Sequence, residues 1–276
     1  MTLIKTHDGT IYDLIEYGIR TKDVLISAPT PEHEFQDIEG MNGVIDYGTT
    51  YGPREITCQY RAIANDRTDF SLMRDEIFNL FRTEKSFYLI EKRIQGKQWL
   101  VKVANSYQIP QRNIFGYFDI DFIGLTGFAE SIKTTADIDK NGLRYGDGWS
   151  YGMGLLYDDE SHKYTHTGTS FKIYNAGNVP IHPFEQDLKI TIDNVQGSND
   201  YLQLENTTNG TTFRVTEGVK GNQTIVLDGA NITSNGTQYL RKTNRQFVEL
   251  DPGWNKFKIT GASSAKVAFD FPFYYL

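Results

Sequence analysis

The sequence predicts a mainly β protein of two domains: an α+β N-terminal domain with one helix and a C-terminal antiparallel β-sandwich. Two observations predict this class. The chain contains 25 glycines, 17 tyrosines and 17 phenylalanines, and aromatic residues favour the pleated, half-buried surface of a sheet. Apolar residues alternate with polar ones in many short segments, whereas helical spacing is clear in only one segment. The 276 residues, 39% of them hydrophobic, suffice for two domains that each bury a core.

The N-terminal domain, predicted over residues 1–133, contains the clearest strand and the predicted helix. Residues 54–62 alternate, with Ile56, Cys58 and Tyr60 on one face and polar side chains on the other, as in a strand with one solvated face. Residues 66–68 then offer capping side chains. The apolar residues that follow have helical spacing and predict a helix from about 68 to 82 whose stripe faces the core: Phe70, Met73, Ile77, Leu80 and Phe81.

A hairpin and one more strand complete this domain. Residues 87–90 and 98–103 flank a glycine-containing turn, which predicts a hairpin. In residues 117–123, the acids Asp119 and Asp121 alternate with apolar side chains. No further acid or histidine stands near them in sequence, so a solvated strand face is a better interpretation than acid catalysis.

Residues 134–168 are predicted to connect the two domains, because they are rich in Gly, Asp, Tyr and Thr and have no apolar periodicity. Asp137, Asp139 and Gly142 fit the first half of a calcium-binding loop. The twelfth position, however, is Gly148 rather than glutamate, and no flanking helices are predicted. A polar turn is therefore the better interpretation.

Short strands at close spacing predict that residues 169–276 form the β-sandwich. The turns between them carry Asp-Gly, Asn-Gly and Pro-Gly pairs, and no helix is needed. The predicted strands are 171–174, 188–192, 201–204, 212–215, 224–227, 246–250, 256–259 and 266–271.

Charge and apolar content exclude several classes of protein. The formal net charge of −7 argues against phosphate-backbone binding as the main function. The N-terminus has no apolar segment of the secretory type, and no apolar run is long enough for a transmembrane helix. We therefore expect a protein made in a cytoplasm, with no membrane partner.

The sequence contains no recognisable catalytic, cofactor-binding or metal-binding pattern. There is no nucleophile elbow, no phosphate-binding glycine loop and no cysteine-based metal motif. His162 and His166 would share a face only on a helix, and their Thr-rich surroundings do not favour one. The single cysteine, Cys58, lies in an alternating strand and is predicted to be a packed apolar residue. We expect no enzyme, no cofactor and no metal.

Several turn-forming motifs follow one another in a distinctive order. Residues 40–48 read G-M-N-G-V-I-D-Y-G and precede Y-G-P-R-E-I at 51–56, the predicted helix, the hairpin and F-A-E-S at 128–131. In the second half, N-A-G-N-V-P-I-H-P stands at 175–183 and L-D-P-G-W-N at 250–255. This order resembles the distal tail proteins of long-tailed, non-contractile bacteriophages, the siphophage tail protein family, and especially relatives from phages of Gram-positive hosts. The resemblance covers nearly the whole chain.

The resemblance implies a structural virion protein at the tip of the phage tail. Such proteins form a hexameric ring through their N-terminal domains, and their galectin-like C-terminal domains project outwards. The ring joins the major tail tube protein and the tape-measure protein on one side to the tail-associated lysin or fibre protein on the other. It also docks receptor-binding or baseplate proteins. DNA is expected to pass through the ring without specific binding, since an acidic lumen would repel it.

Tyr47, Tyr51 and Arg54 are the predicted oligomer-interface residues. They flank the glycine-rich motif, in a segment that has few core residues but the aromatic and arginine side chains that anchor interfaces. The alternative is that the neighbouring glycines and Pro53 only shape a turn.

Two other functions remain open from the sequence. A carbohydrate-binding adhesin module is favoured by the sandwich and by Trp149, Tyr151, Tyr157 and Tyr164, which are predicted to be exposed. The sequence lacks the histidine strand and the Trp-x-x-Glu segment of galectins, so a galectin-like fold need not bind sugar. A cell-wall hydrolase would need paired carboxylates or a metal in a cleft.

Overall fold

The computed structural model describes all 276 residues and contains two compact units, one of Met1–Ala129 with Leu276 and one of Glu130–Tyr275. Each unit is described by itself. The predicted boundaries at 133 and 168 remain predictions. None of the helices is long and apolar enough to span a bilayer.

The first unit contains an antiparallel sheet and one α-helix. The sheet order is β2-β1-β7-β8-β10-β6-β3, with β9 paired to β10. The strands are β1 (Thr2–Lys5), β2 (Ile11–Asp13), β3 (Ile19–Ile26), β4 (Pro31–Asp37), β5 (Val44–Tyr51), β6 (Arg54–Ile63), β7 (Phe87–Glu91), β8 (Lys97–Val103), β9 (Gln111–Arg112) and β10 (Phe115–Gly124), and the helix is α1 (Asp69–Leu80). A short strand, β11 (Ala129–Ser131), begins at the last residue of this unit. β4 and β5 form a separate two-stranded sheet.

Helix α1 begins where its capping side chain predicts. The Asp66 carboxylate accepts hydrogen bonds from the backbone N–H groups of Thr68 and Asp69, at 2.7 and 2.8 Å, and so satisfies donors that a helix start leaves free. Phe70, Met73 and Ile77 are buried on the sheet side of the helix. The predicted core stripe thus lies where helical periodicity puts it.

The core of the first unit contains a cluster of aromatic rings. Phe81 contacts Tyr60 of β6 and Phe122 of β10, with ring centroids 5.6 and 5.9 Å apart. Cys58 and Tyr60 lie on the buried face of β6 and are almost fully inaccessible. The alternation of residues 54–62 therefore corresponds to one buried and one solvated face.

The second unit contains two further antiparallel sheets and a short helix, α2 (Thr135–Asn141). One sheet has the order β12-β21-β14-β17-β18-β19 and the other β13-β20-β15-β16. The strands are β12 (Thr165–Gly168), β13 (Ser170–Asn175), β14 (Lys189–Gln196), β15 (Leu202–Asn206), β16 (Thr211–Val215), β17 (Ile225–Asp228), β18 (Asn231–Ser234), β19 (Thr237–Gln238), β20 (Gly253–Thr260), β21 (Ser264–Asp270) and β22 (Tyr274–Tyr275).

Phenylalanines join the two sheets of the second unit. Phe257 of β20 and Phe269 of β21 belong to different sheets, and their ring centroids are 4.9 Å apart. Phe171 of β13 contacts both rings, at 5.5 and 6.1 Å. Two sheets that pack their apolar faces together form a β-sandwich. The predicted fold class, mainly β with antiparallel sheets, is confirmed, and the galectin-like detail remains a prediction.

Residues 134–168 are more ordered than their composition indicates. Thr134 and Asp137 form a reciprocal capping box at the start of α2, and Asp139 accepts hydrogen bonds from Tyr164 N and Thr165 Oγ1. Trp149 and Tyr164, predicted to be exposed, are only 2% and 0% accessible. That prediction was wrong, because both rings pack against Phe273 in the core of this unit.

Residues 246–250 do not form the strand that their alternation predicts. Only Leu250 makes a bridge, with Ile181. Side chains replace the missing strand partners: Glu249 N donates to Thr211 Oγ1, and Glu249 O accepts from Asn206 Nδ2. Alternation in the sequence cannot show that asparagine and threonine side chains will take the backbone hydrogen bonds of a neighbouring strand.

Candidate assembly interface

A two-stranded ribbon extends from the sheet of the first unit. β3 and β6 pair up to Ile26 and Ile56, Ser27 N donates to Glu55 O, and Gly52 N donates to Thr30 O. β4 and β5 then pair from Pro31 opposite Tyr51 to Asp37 opposite Val44. Residues 31–51, hereafter the arm, are therefore the distal continuation of the β3–β6 ribbon.

The arm has no buried face. Every residue of β4 is exposed, and so is every residue of β5 except the half-buried Ile45. The solvent-exposed fraction of its large apolar residues is 54% for Phe35, 56% for Met41, 58% for Val44 and 59% for Tyr47. An isolated two-stranded hairpin is only marginally stable in water, and contiguous exposed apolar surface is typical of interaction sites. The arm therefore has the properties of a segment that packs on a partner.

The arm also has a strongly one-sided charge. It carries carboxylates at Glu32, Glu34, Asp37, Glu39 and Asp46 and contains no lysine or arginine. Because the side chains are exposed, this charge is available to a neighbour. A surface that binds the arm should offer positive charge together with apolar area.

Cross-strand side chains shape the arm locally. Tyr47 donates its hydroxyl hydrogen to Gln36 Oε1 at 2.6 Å, and His33 Nδ1 lies 2.8 Å from Thr49 Oγ1. The register shifts between Glu34 and Phe35, opposite Gly48. Gly48 has a φ of 125°, which glycine adopts without strain and other residues do not. This bulge lets the ribbon twist without a core beneath it.

The base of the arm is anchored to the body of the first unit. The Tyr51 ring meets the edge of Phe128, with centroids 6.0 Å apart. At Gly127, with φ of 69°, a Cβ would come within 2.9 Å of the Gly52 carbonyl oxygen, so the close approach of these two segments requires glycine. Tyr51 therefore lies at the base of the arm rather than at its tip.

Arg54, just beyond the base, is 7% accessible. Its guanidinium lies over the Trp99 ring at 5.2 Å, and its Nε and Nη1 atoms are buried without a hydrogen-bond partner. Burial lowers the pKa of Arg54 below its usual value, because desolvation disfavours the charged form. Arg54 presents far less surface to a neighbour than Tyr47 does.

A cationic cluster lies at the other end of the same ribbon. Arg20 of β3 stands directly opposite Arg61 of β6, and Lys22 lies over the Tyr117 ring at 5.3 Å. β3 is the last strand of its sheet. Like charges directly opposite one another repel, so Arg20, Lys22 and Arg61, hereafter the basic row, form a local excess of positive charge in an acidic protein.

The residues predicted from the sequence to lie at an oligomer interface fall on the arm or beside it. Tyr47 and Tyr51 lie on the arm, and Arg54 follows it. The exposed apolar residues Phe35 and Val44 were missed, although the absence of lysine and arginine between Lys22 and Arg54 is visible in the sequence. The histidines considered as metal ligands instead bond backbone oxygens: His162 that of Leu156, and His166 that of Lys163.

Comparison with known protein families gives a match over part of the chain. Residues 7–123 match the family model of the phage tail protein RIFT-related domain, so this part of the chain is similar to that phage tail domain. No curated protein matches the chain in sequence.

Solved structures extend the likeness to the whole chain. The crystal structure of the SPP1 Dit (gp 19.1) protein, described as a paradigm of the hub adsorption apparatus in Gram-positive infecting phages, is 12% identical. The similarity covers 99% of each chain, with a TM-score of 0.68. A chain of the phage P2 baseplate in its activated conformation with Ca is 11% identical over 99% of this chain and 98% of that one, with a TM-score of 0.48. The resemblance to distal tail proteins is confirmed by the family match and the shared fold.

Proposed function

We propose that the protein is a distal tail hub: a structural, non-enzymatic component that forms a hexameric ring at the phage tail tip. The observation that carries this proposal is the arm, which exposes apolar side chains on both faces and has no core of its own. Such a segment gains most from packing on another molecule. The phage tail domain over residues 7–123 includes the arm.

The contact that we propose is head-to-tail. The acidic arm of one copy packs against the basic row of the next, so that Glu32 and Glu34 approach Arg20 and Lys22. Because the arm and the basic row are opposite ends of one ribbon, each copy supplies one of each. A contact between two different surfaces generates a ring when the rotation between copies closes, and complementary charge favours the correct orientation.

The partners follow from the same proposal. The ring would meet the tail tube and tape-measure proteins on one side and the lysin or fibre protein on the other, with receptor-binding or baseplate proteins at its periphery. It would act in the virion after assembly in the host cytoplasm. The SPP1 protein with the same fold is described as a hub of Gram-positive infecting phages, which supports a Gram-positive host.

The primary test is the native mass of the purified full chain, measured by light scattering behind size exclusion, with negative-stain images of the same peak. We expect six times the 31.5 kDa of one chain and a ring with an open centre. Exposed charge pairs are screened at high salt, so the mass should fall as NaCl is raised. A monomer at every concentration, with or without tail tube protein, contradicts the ring.

A charge exchange tests the head-to-tail contact. Glu32→Lys with Glu34→Lys should abolish the ring, because the arm then repels the basic row, and Arg20→Glu with Lys22→Glu should do the same. Combining the four changes should restore it. A control with the same change of charge, Glu76→Lys with Glu84→Lys, alters exposed residues outside the arm and should leave the mass unchanged. Failure of the combined variant to reassemble, with its fold intact, would remove the basic row as the docking site.

A carbohydrate-binding adhesin remains the alternative function. Tyr151 and Tyr157 are exposed in the second unit, and the Tyr151 ring is stacked on Tyr145 at 4.3 Å. Retention of the protein on a glycan array, lost on Tyr157→Ala, would favour this alternative.

A further inference from the structure

The solvated face of the β13-β20-β15-β16 sheet carries an excess of cations. Side chains alternate along a strand, and Ile173, Phe257 and Ile259 are buried on the inner face. Lysine and arginine side chains of three of the four strands therefore point outwards. These residues, hereafter the lysine face, are Lys172, Lys256, Lys258 and Arg214.

The register of the strands places these cations against one another. Lys172 stands directly opposite Lys256, and Lys258 follows on the same face two residues along β20. Like charges at directly opposed positions destabilise a sheet. The outward side of these strands has one carboxylate, Glu205 opposite Lys258. Glu160, from the loop before β12, reaches Lys172 at 2.9 Å. The face thus keeps net positive charge in a chain whose formal charge is −7.

A shallow cleft of about 550 Å³ lies along these cations. Its lining includes Lys172, Lys256, Lys258, His166, Ser170 and Thr207, together with Phe171, Phe257 and the Glu160 carboxylate that pairs with Lys172. The cleft offers ammonium groups, hydroxyl groups and an imidazole, all of which can bind phosphate oxygens. Side chains on one face of a strand repeat about every 7 Å, a spacing that suits a ligand with regularly repeated negative charges.

The aromatic rings of this face are already covered by its own cations. Lys172 Nζ lies 4.1 Å from the centre of the Trp254 ring, and the Arg214 guanidinium lies 4.2 Å from that of Tyr201. Proteins that bind single-stranded nucleic acid combine a basic groove with free rings on which bases stack. Here Lys172 already pairs with Glu160, whereas Lys256 and Lys258 are exposed. Because Trp254 and Tyr201 are each covered on one face by a cation, a polyanion without bases fits this face best.

We propose that the lysine face binds a linear polyol phosphate polymer, in which phosphodiester groups alternate with hydroxylated carbon chains. The phosphates pair with Lys256 and Lys258, and with Lys172 where they displace Glu160, and the polyol hydroxyls bond to Ser170 and Thr207. This site lies outside the arm and the basic row, so it holds whether or not the ring forms.

The test is binding of the full chain to immobilised poly(glycerol phosphate), measured by surface plasmon resonance over a range of NaCl concentrations. We expect saturable binding that weakens as salt increases, because each paired phosphate releases counterions. Lys256→Glu with Lys258→Glu should weaken binding at least tenfold. The control, Lys189→Glu with Lys220→Glu, makes the same change of charge at exposed residues elsewhere in this unit and should stay within twofold of the wild type.

Three results would overturn the proposal. The first is no binding at 150 mM NaCl. The second is an equal loss in both double variants, which would mean that only total charge matters. The third is stronger binding, through the same lysines, to single-stranded DNA or to polyglutamate, which would assign the face to a nucleic acid or to an acidic protein. Thermal unfolding of each variant shows whether it is folded, and Lys256→Gln with Lys258→Gln gives a milder pair if the charge reversal unfolds the sheet.

Discussion

At the scale of single residues, two buried asparagines explain the motifs that make the second half recognisable. In L-D-P-G-W-N, Asn255 Oδ1 accepts from Asp251 N at 2.9 Å and its Nδ2 donates to Asp251 O at 2.7 Å, which closes the turn. In N-A-G-N, Asn175 Oδ1 accepts a hydrogen bond from Gly177 N, and its Nδ2 donates one to Val179 O. Both asparagines are structural, because their amides satisfy backbone groups that no strand reaches.

Removal of the Asn255 amide should destabilise the fold. The side chain is fully buried and also accepts from Asn206 Nδ2 at 2.9 Å, so Asn255→Ala leaves several buried polar groups without partners. We expect a loss of about 2–3 kcal/mol in the free energy of unfolding, measured by urea denaturation. Asn222→Ala, at an exposed turn, should change it by less than about 0.5 kcal/mol. Equal effects of the two substitutions would contradict the structural role.

The single thiol should be inert in the folded protein. Burial raises the pKa of Cys58 to about 12, so the reactive thiolate is almost absent at pH 8. We expect Ellman's reagent to label Cys58 at least a hundredfold more slowly in the native protein than in guanidinium chloride. Leu72→Cys, at an exposed position on α1, provides a fast-reacting comparison in the Cys58→Ala background. Rapid native labelling of Cys58 would mean that β6 opens readily.

Residue-level expectations failed where tertiary packing decided the outcome. Trp149 and Tyr164 stand in a polar, glycine-rich stretch and give no periodic signal of burial, yet both complete a core. Arg54 has the residue type of an interface anchor but packs over Trp99. A single sequence does not show which distant ring will cover a side chain.

At the scale of elements, periodicity predicted α1 well and α2 not at all. Helix α1 has several buried apolar residues, whereas α2 is a seven-residue helix that buries Thr135 and Ile138. Its acids matched a calcium loop, although they serve as a cap and as acceptors for Tyr164 and Thr165. Short helices held by capping and tertiary hydrogen bonds leave too little pattern to detect.

Removal of the arm should separate assembly from folding. Replacing residues 32–50 by Asn-Gly joins Pro31 to Tyr51, which already pair, through a favoured hairpin turn. Because the arm is exposed on both faces, the melting temperature should change little and the protein should remain monomeric in the light-scattering experiment. A milder variant, Phe35→Ser with Val44→Ser, should weaken assembly in the same direction. A large loss of thermal stability would show that the arm packs on its own unit.

At the scale of the whole molecule, the class of fold followed from composition and alternation, and the resemblance to distal tail proteins followed from the order of turn motifs. The order of the strands in the sheet could not be predicted from the sequence, because β3 pairs with β6 and the arm lies between them in the chain. The arm itself lacks the buried face that makes a strand visible in sequence. Its strands were therefore interpreted as a turn-rich segment that stood out by its tyrosines, by Arg54 and by its few core residues, and its one-sided charge was overlooked.

The absence of basic residues from the arm has a practical consequence. Trypsin cleaves after lysine and arginine, and none lies between Lys22 and Arg54. A tryptic digest would therefore release the complete arm within one peptide, Asp23 to Arg54, whereas a glutamate-specific protease could cut it at Glu32, Glu34 and Glu39. The two enzymes together form a footprinting pair: tryptic cleavage would spare the arm in free and assembled protein alike, and the glutamate-specific cuts would disappear as copies associate.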